Sequence, residues 1–379
     1  MAEELSRLNH DLLSRILARV DGPTLAAVSS VSRELHGGAG EESLWQRLTH
    51  ETWPSTKEEG AQRLISSLGG FARFYGDSFP LIVYRPKAEE ERPAGAFPCR
   101  REQGIHLNPS PSDLVSFVDV FYEDKCVFSK VLWGIPGADE YDQDDRRTGW
   151  FSRCPFRVDL LQQQRNRNND DGNRGYDTDD DDDDAAVDEE EDETGILFPS
   201  VHFAHKKERG GQKLRKKLEE KVRLSWVLVN KRSGRAVNLS SWKPLTVQRH
   251  WPAEGDIWMK FGCAVATTSG PTECVVSVKC RLLESESRLK WRSISMRVED
   301  PEGRHLDGGT ALLMLEGALR CRSRSREWSV FERGYGEYAR EKEEMAARKM
   351  RTEGIADRLC VFAGIAVFSS LCYLGHSIC

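Results

Sequence analysis

The 379-residue chain lacks the signatures on which many enzymes are built. It has no Gly-x-Gly-x-x-Gly or Walker-type loop to cradle a phosphate and no Gly-x-Ser-x-Gly nucleophile elbow, so nothing points to dinucleotide, P-loop or α/β-hydrolase chemistry. Its ten cysteines form no Cys-x-x-Cys pair, which argues against the common zinc-ligand spacings. No signal-peptide pattern opens the chain, and free thiols in a reducing cytosol are expected. In that compartment the sequon Asn238-Leu239-Ser240 stays unused. His202 and His205 have metal-ligand spacing but no acidic or cysteine partners nearby. Asp179, Asp181, Asp183 and Glu190 imitate a calcium loop, yet Asp184 stands where the turn glycine belongs. No cofactor and no metal are expected.

What the chain does have is bulk, apolar residues and unevenly placed charge. Its length suits two or three domains, and 39% hydrophobic residues with ten tryptophans argue for a substantial core. Thirteen of the 61 acidic residues fall between positions 177 and 193, leaving 48 against 55 basic residues elsewhere. Residues 162–212, rich in Gln, Asn, acidic and then basic residues, carry too little apolar surface to offset ordering entropy and read as a disordered insertion.

Residues 8–45 hold the densest pattern. Leu12, Leu13, Ile16, Leu17 and Val20 recur at helical steps after Leu8, with Asn9 able to cap the first turn. Asp21-Gly22-Pro23 ends this helix and starts a second, since proline suits a first helical position. Leu25, Val28 and Val31 form the second stripe, and a glycine-rich break precedes Leu44-Trp45. Such a short three-helix unit has more apolar side chains than it can cover, so a partner surface is expected.

At these residues the sequence resembles the F-box: a leucine pair after an Asp, an Ile-Leu step, a proline turn, Leu25-x-x-Val28-x-x-Val31-x-Arg33 and a closing Leu44-Trp45. It departs at Asn9, where the family favours proline, and at Glu34-Leu35. The resemblance implies docking onto a Skp-type adaptor linked to a cullin-RING ubiquitin ligase. The implied contact residues are Leu8, Leu12, Leu13, Ile16, Leu17, Val20, Pro23, Leu25, Val28, Val31, Leu44 and Trp45. The layout of the whole chain also looks like plant F-box proteins with a strand-rich C-terminal half and a hydrophobic tail.

Beyond the F-box-like residues 1–50, residues 51–112 are expected to be a helical linker and connection. Ser55 and Glu58 have capping-box spacing, and Ala61, Leu64, Ile65 and Leu68 share a helical face. Residues 113–325 suggest an antiparallel β-rich domain, sandwich-like or barrel-like, giving an α+β chain. Residues 114–122 and 125–133 alternate around Glu123-Asp124 as a hairpin. Further strands are expected at 156–161, 224–230, 257–266, 274–283, 289–298 and 311–321. Trp226, Trp242, Trp251, Trp258 and Trp291 suit its core.

Residues 326–358 read as a charged helical stalk. Residues 359–379 contain no charge except His376 and span roughly 31 Å as a helix, close to a hydrocarbon core of ~30 Å. With Arg348, Lys349, Arg351 and Arg358 before them, they are expected to be a transmembrane tail anchor holding the chain on the cytosolic face of a membrane. The basic runs at 213–217 and 320–326 lack interleaved aromatics, and no nucleic-acid partner is expected. A substrate receptor without catalysis of its own is the leading reading. A membrane-tethered carbohydrate- or lipid-binding module, whose helical start dimerises, is the alternative.

Overall fold

A computed structural model describes residues 10–86, 110–136, 150–162, 201–202, 211–249, 256–267, 270–283 and 288–378. The chain opens with helices α1 (His10–Leu17), α2 (Gly22–Val28), α3 (Arg33–Ala39) and α4 (Glu42–Thr52). A short 3-10 turn (Pro54–Lys57) leads to α5 (Glu59–Ser67), α6 (Gly70–Ser78) and the two-residue strand β1 (Leu81–Ile82). The expected three helices are thus four, because Ser32 adopts extended backbone and its Oγ accepts from Leu35 N at 3.2 Å, starting α3. The expected glycine-rich break is part of that helix. A Cβ on Gly38 would stand 3.2 Å from Leu17 Cδ1, so the glycine lets α3 approach α1 closely.

Two sheets follow. β2 (Leu114–Tyr122) and β3 (Lys125–Trp133) form the expected hairpin, with Glu123 and Asp124 both at positive φ, as a tight two-residue turn requires. After α7 (Trp150–Arg153) come β4 (Arg157–Gln162), β5 (Val201–His202), α8 (Gly211–Lys221), β6 (Val222–Asn230), β7 (Arg235–Asn238) and β8 (Thr246–Arg249). Long strands β9 (Asp256–Thr267), β10 (Gly270–Leu283) and β11 (Arg288–Glu299) then meander, before α9 (Gly308–Arg320), β12 (Arg324–Ser325) and α10 (Trp328–Ile378). The first sheet runs β12-β1-β7-β6-β2-β3 and the second β4-β11-β10-β9-β8, with β5 beside β11. Among the described strands every pairing is antiparallel except β1 with β7, so the antiparallel β-rich expectation holds apart from that pair.

The first sheet is covered on both faces. Val115, Phe117, Val227, Val229 and Ala236 share a core with the N-terminal helices. Their neighbours of opposite parity, Val118, Val120, Leu224, Trp226 and Leu228, share one with Phe261, Val276, Ile294 and Met296 of the second sheet. Double burial explains why β2 and β6 are almost continuously apolar. The layers are therefore helices, sheet and sheet.

Three segments differ from expectation. Residues 311–321, read as a strand, lie mostly in α9. Asp307 caps that helix by accepting from Thr310 N at 2.9 Å, and Ala311, Leu315 and Ala318 bury one helical face without any β-branched residue among 311–320. Within the stretch expected to be disordered, β5 and the start of α8 are ordered, and residues 163–200 and 203–210 lie outside the described residues. Leu214 and Leu218 of α8 are buried one turn apart, so that helix packs on the core.

The stalk and tail are one helix, α10, and its first turns are no stalk. Phe331 and Tyr338 are buried, and the buried Glu273 carboxylate meets Lys260 Nζ at 2.6 Å, Tyr335 Oη at 2.5 Å, and Lys342 Nζ and Tyr338 Oη at 3.3 Å. Among the described residues no helix is long and apolar enough to cross a membrane.

The segment expected as a linker is tied into the first sheet. Trp53 Nε1 donates to Ser225 Oγ at 2.8 Å, and Ser55 donates to the buried Asp119 carboxylate from N (2.9 Å) and Oγ (2.6 Å), with Ser129 Oγ at 2.7 Å. Burial, opposed by those three donors, pushes the Asp119 carboxyl up to about 6 from 3.8. A raised carboxyl binds its proton more tightly in the folded state, so its stabilising contribution is full below pH ~4 and is lost as pH rises to about 6. Asp119→Asn, which does not titrate, is expected to gain on the wild type by about 3 kcal/mol between pH 4 and 7, measured as the difference of two denaturant-unfolding series. Parallel pH profiles for the two proteins would refute this.

Candidate functional site

Local chemistry sets the geometry of the helical end. Asp21 Oδ1 accepts from Thr24 N at 2.9 Å and starts α2, with Pro23 in its first turn. Gly22 is required there by space, since a Cβ would lie within 2.5 Å of the Tyr75 ring. α2 stops at Val28, where Ser29 Oγ and Ser30 Oγ each donate to a carbonyl three residues back at 2.7 Å, competing with the helical ladder. Val31 is left on the following turn. The start of α4 is tied to α1 by Ser14 Oγ, which donates to Glu41 at 3.4 Å. Glu42 accepts from Phe71 N at 2.6 Å and so holds α6 against α4.

The twelve residues expected to touch a partner divide by exposure. Leu17, Leu25, Leu44 and Trp45 are buried in the chain's own core, and Trp45 Nε1 donates to Ala39 O at 2.7 Å. Leu13, Val20, Pro23 and Val28 are half-buried. Leu8 lies outside the described residues. Among the described ones, only Leu12 (49% exposed), Ile16 (51%) and Val31 (66%) face outward. These three are the large apolar side chains left uncovered between His10 and Thr52.

Leu12, Arg15, Ile16 and Arg19, at successive steps of three, one and three residues, form one exposed stripe along α1 and its C-terminal turn. The stripe mixes apolar contact area with two cations, which suits a partner that is apolar at the centre and acidic at the rim. Arg15 and Arg19 were not among the expected contacts. The signal for them was the helical period itself, applied to the exposed side.

Among the described residues no group of His, Cys, Asp or Glu could hold a metal ion. His205 and the calcium-loop-like residues 179–190 lie outside the described residues. Trp226 and Trp291 are buried in the inter-sheet core as expected, Trp242 and Trp258 are half-buried, and Trp251 lies outside the described residues. The larger omission was Trp53, fully buried where helices meet sheet.

Three proteins of Arabidopsis thaliana are similar to the chain along nearly its full length. Two are named F-box proteins, each 28% identical over 97% of this chain and over 94% and 90% of their own lengths. The third, named a probable F-box protein, is 28% identical over 96% of this chain and 91% of its own. No family model matches the chain, and no solved structure matches it. The resemblance to plant F-box proteins thus covers the strand-rich half as well as residues 8–45.

Proposed function

We propose that this chain, similar to F-box proteins from end to end, is the substrate-recognition subunit of an SCF-type cullin-RING ubiquitin ligase. The helical end docks a Skp-type adaptor and the strand-rich layers present a target, while ubiquitin transfer belongs to partner proteins. The observation that carries this reading is the exposure of Leu12 and Ile16 on a helix whose other side is already committed to Leu17 and the core. Apolar side chains half in water on a well-packed helix are what a partner surface covers.

Leu12→Asp together with Ile16→Asp is expected to abolish capture of a purified Skp-type adaptor, because each places a charge in an interface that must be dry. Its folding stability should stay within about 1 kcal/mol of wild type, since both sites are exposed. Leu17→Asp, by contrast, should unfold the helical end. Wild-type adaptor capture by the folded double variant would overturn the docking face.

The same proposal places the chain at the cytosolic face of a membrane. The support is the exposure of Leu359, Val361, Phe362, Ile365, Val367 and Phe368 at 57–69%, following the basic residues Arg348, Lys349, Arg351 and Arg358. Truncation after Arg358 is expected to move the protein from the membrane pellet to the supernatant on fractionation. Full-length protein already in the supernatant would remove this part of the proposal and leave the adaptor reading intact.

A further inference from the structure

Strand register sets which side chains of the second sheet face outward. Met259, Cys280, Trp291 and Ile294 lie in the inter-sheet core, so their neighbours Trp258, Lys279, Arg281 and Ser293 lie on the opposite face. The first turns of α10 cover one end of that face, where Glu273 meets Tyr335, Tyr338 and Lys342. The other end gathers four cations, Lys279 and Arg281 of β10 with Lys290 and Arg292 of β11. Lys290 is exposed and the other three are half-buried.

This patch is short of anions. Among the described residues Asp256 is the carboxylate set between its cations, 2.6 Å from Arg281 Nε and 3.8 Å from Arg292 Nε. Neither Lys279 nor Lys290 has an ion-pair partner among the described residues, and Arg292 Nε has no hydrogen-bond acceptor there. Burial and then Arg281 push the Arg292 guanidinium below its ordinary value, with Asp256 opposing them. Four cations around one carboxylate repel one another, and a polyanion laid over them relieves that repulsion.

The chain carries such a polyanion beside the patch. β4 and β5 both pair with the edge of β11 that β10 leaves free, Gln162 opposite Ser293 and Val201 opposite Leu289. Those positions on β11 are about 13 Å apart at ~3.3 Å per residue. Residues 163–200 therefore leave and rejoin the fold beside Lys290 and Arg292, and their stretch 177–193 holds thirteen carboxylates and no cation. Glu193 precedes Val201 by up to ~26 Å of extended chain. β9, two strands from β11, is only ~10 Å away, so the whole patch is within reach.

We infer that residues 177–193 dock on this outward patch of the second sheet, their carboxylates meeting Lys279, Lys290 and Arg292. Trp258, half-buried and directly opposite Lys279, matches Ala185-Ala186-Val187, the short apolar break within the acidic run. Attachment at both ends keeps run and patch at high effective concentration, so an acidic segment of another protein must displace the chain's own. The lysines of α8 are a poorer seat. Lys216 and Lys217 already face Glu220 at 4.0 Å and Glu123 at 3.6 Å, and Arg215 pairs with Glu219 at 2.9 Å. The inference goes beyond the adaptor reading and holds whatever the helical end binds.

Two measurements on the full-length protein test it. Zero-length carbodiimide coupling, mapped by peptide mass, is expected to join carboxylates of 177–193 to Lys279 and Lys290, with severalfold less product at high salt. A fluorescein-labelled polyglutamate peptide then probes the patch. Wild type should bind it at least about tenfold more weakly than a variant with Asn and Gln at the thirteen acidic positions, and adding Lys279→Gln/Lys290→Gln to that variant should remove the gain. Lys290→Gln alone, at an exposed position, should weaken coupling at Lys279 severalfold and keeps the test valid if the heavier variants fail to fold. Coupling of the run only to α8 lysines, coupling of Lys290 only to Glu284 or Glu286 of the adjoining hairpin, or no coupling would overturn the inference. Equal probe binding by wild type and the neutralised variant would do the same. So would a gain that survives Lys279→Gln/Lys290→Gln and is lost in Arg235→Gln/Arg320→Gln, because those arginines lie in a separate cleft between α6 and α9.

Discussion

Replacing Trp53 with alanine is expected to cost about 3–5 kcal/mol of folding stability, more than any surface change to the helical end. Trp53 is fully buried, and its ring lies 5.3–5.6 Å from those of Tyr75 and Phe74 and 6.2 Å from that of Trp242. Its Nε1 donates to Ser225, which is itself fully buried on β6. Truncation therefore opens a cavity and strands a hydroxyl without its donor. A further contribution comes from Trp242, a bulky residue held at φ 59°, where only tight packing keeps such a conformation. Trp53 and Phe79 supply part of that packing. Trp53→Phe keeps most of the ring contact and loses the hydrogen bond, so it should cost about 1–3 kcal/mol. Denaturant unfolding and hydrogen exchange on α4 to α6 measure both. A loss below about 1.5 kcal/mol for the alanine variant would mean that Trp53 does not carry the helix–sheet junction.

This junction also marks where the sequence stopped being legible. Hairpin β2–β3 could be read because its evidence is local: two alternating runs and a two-residue turn. The long meander β9 to β11 was legible for the same reason. Contacts such as Trp53 with Ser225, 172 positions apart, leave no local trace, and so the tie between helices and sheet was missed. Strands β1 and β12, two residues each, are too short to show any period. α9 was read as a strand because a short apolar run looks alike in both states; the Asp307 cap and the absence of β-branched residues were the better guides.

At the candidate site, the periodicity located α1 but could not say which side faces inward. Leu12, Leu13, Ile16 and Leu17 form a stripe wide enough to serve two surfaces. Leu17 proves to be the inward edge and Leu12 with Ile16 the outward one. The division was invisible in the sequence because it depends on α3, whose Gly38 admits Leu17 and Leu13 from one side only.

Glu273→Ala is expected to cost about 3–5 kcal/mol, because removing one member of a buried ion cluster leaves the others without compensation. Lys260 is 2.6 Å away with its side chain 16% exposed, and Tyr335 and Tyr338 aim their hydroxyls at the same carboxylate. Burial works to raise the Glu273 carboxyl, but Lys260, Tyr335 and Lys342 outweigh it and hold it below the ordinary 4.5. The sign is opposite to that at Asp119: the stabilising contribution is present above the unfolded value and is lost as pH falls through the folded one. The wild type should therefore lose more stability than Glu273→Gln on going from pH 6 to pH 3.

The carboxylate joins β10 to the first turns of α10, so its loss should free that helix before the rest unfolds, seen as faster exchange at residues 331–342. Among the described residues Tyr84 Oη, 2.5 Å from Glu341, is then the remaining polar tie over that stretch, and Tyr84→Phe should add to the effect. Adaptor capture through Leu12 and Ile16 should persist in Glu273→Gln, because the second sheet lies across the first sheet from α1 to α4. Loss of adaptor capture in a folded Glu273→Gln protein would show that the two ends of the chain are coupled through the sheets rather than independent.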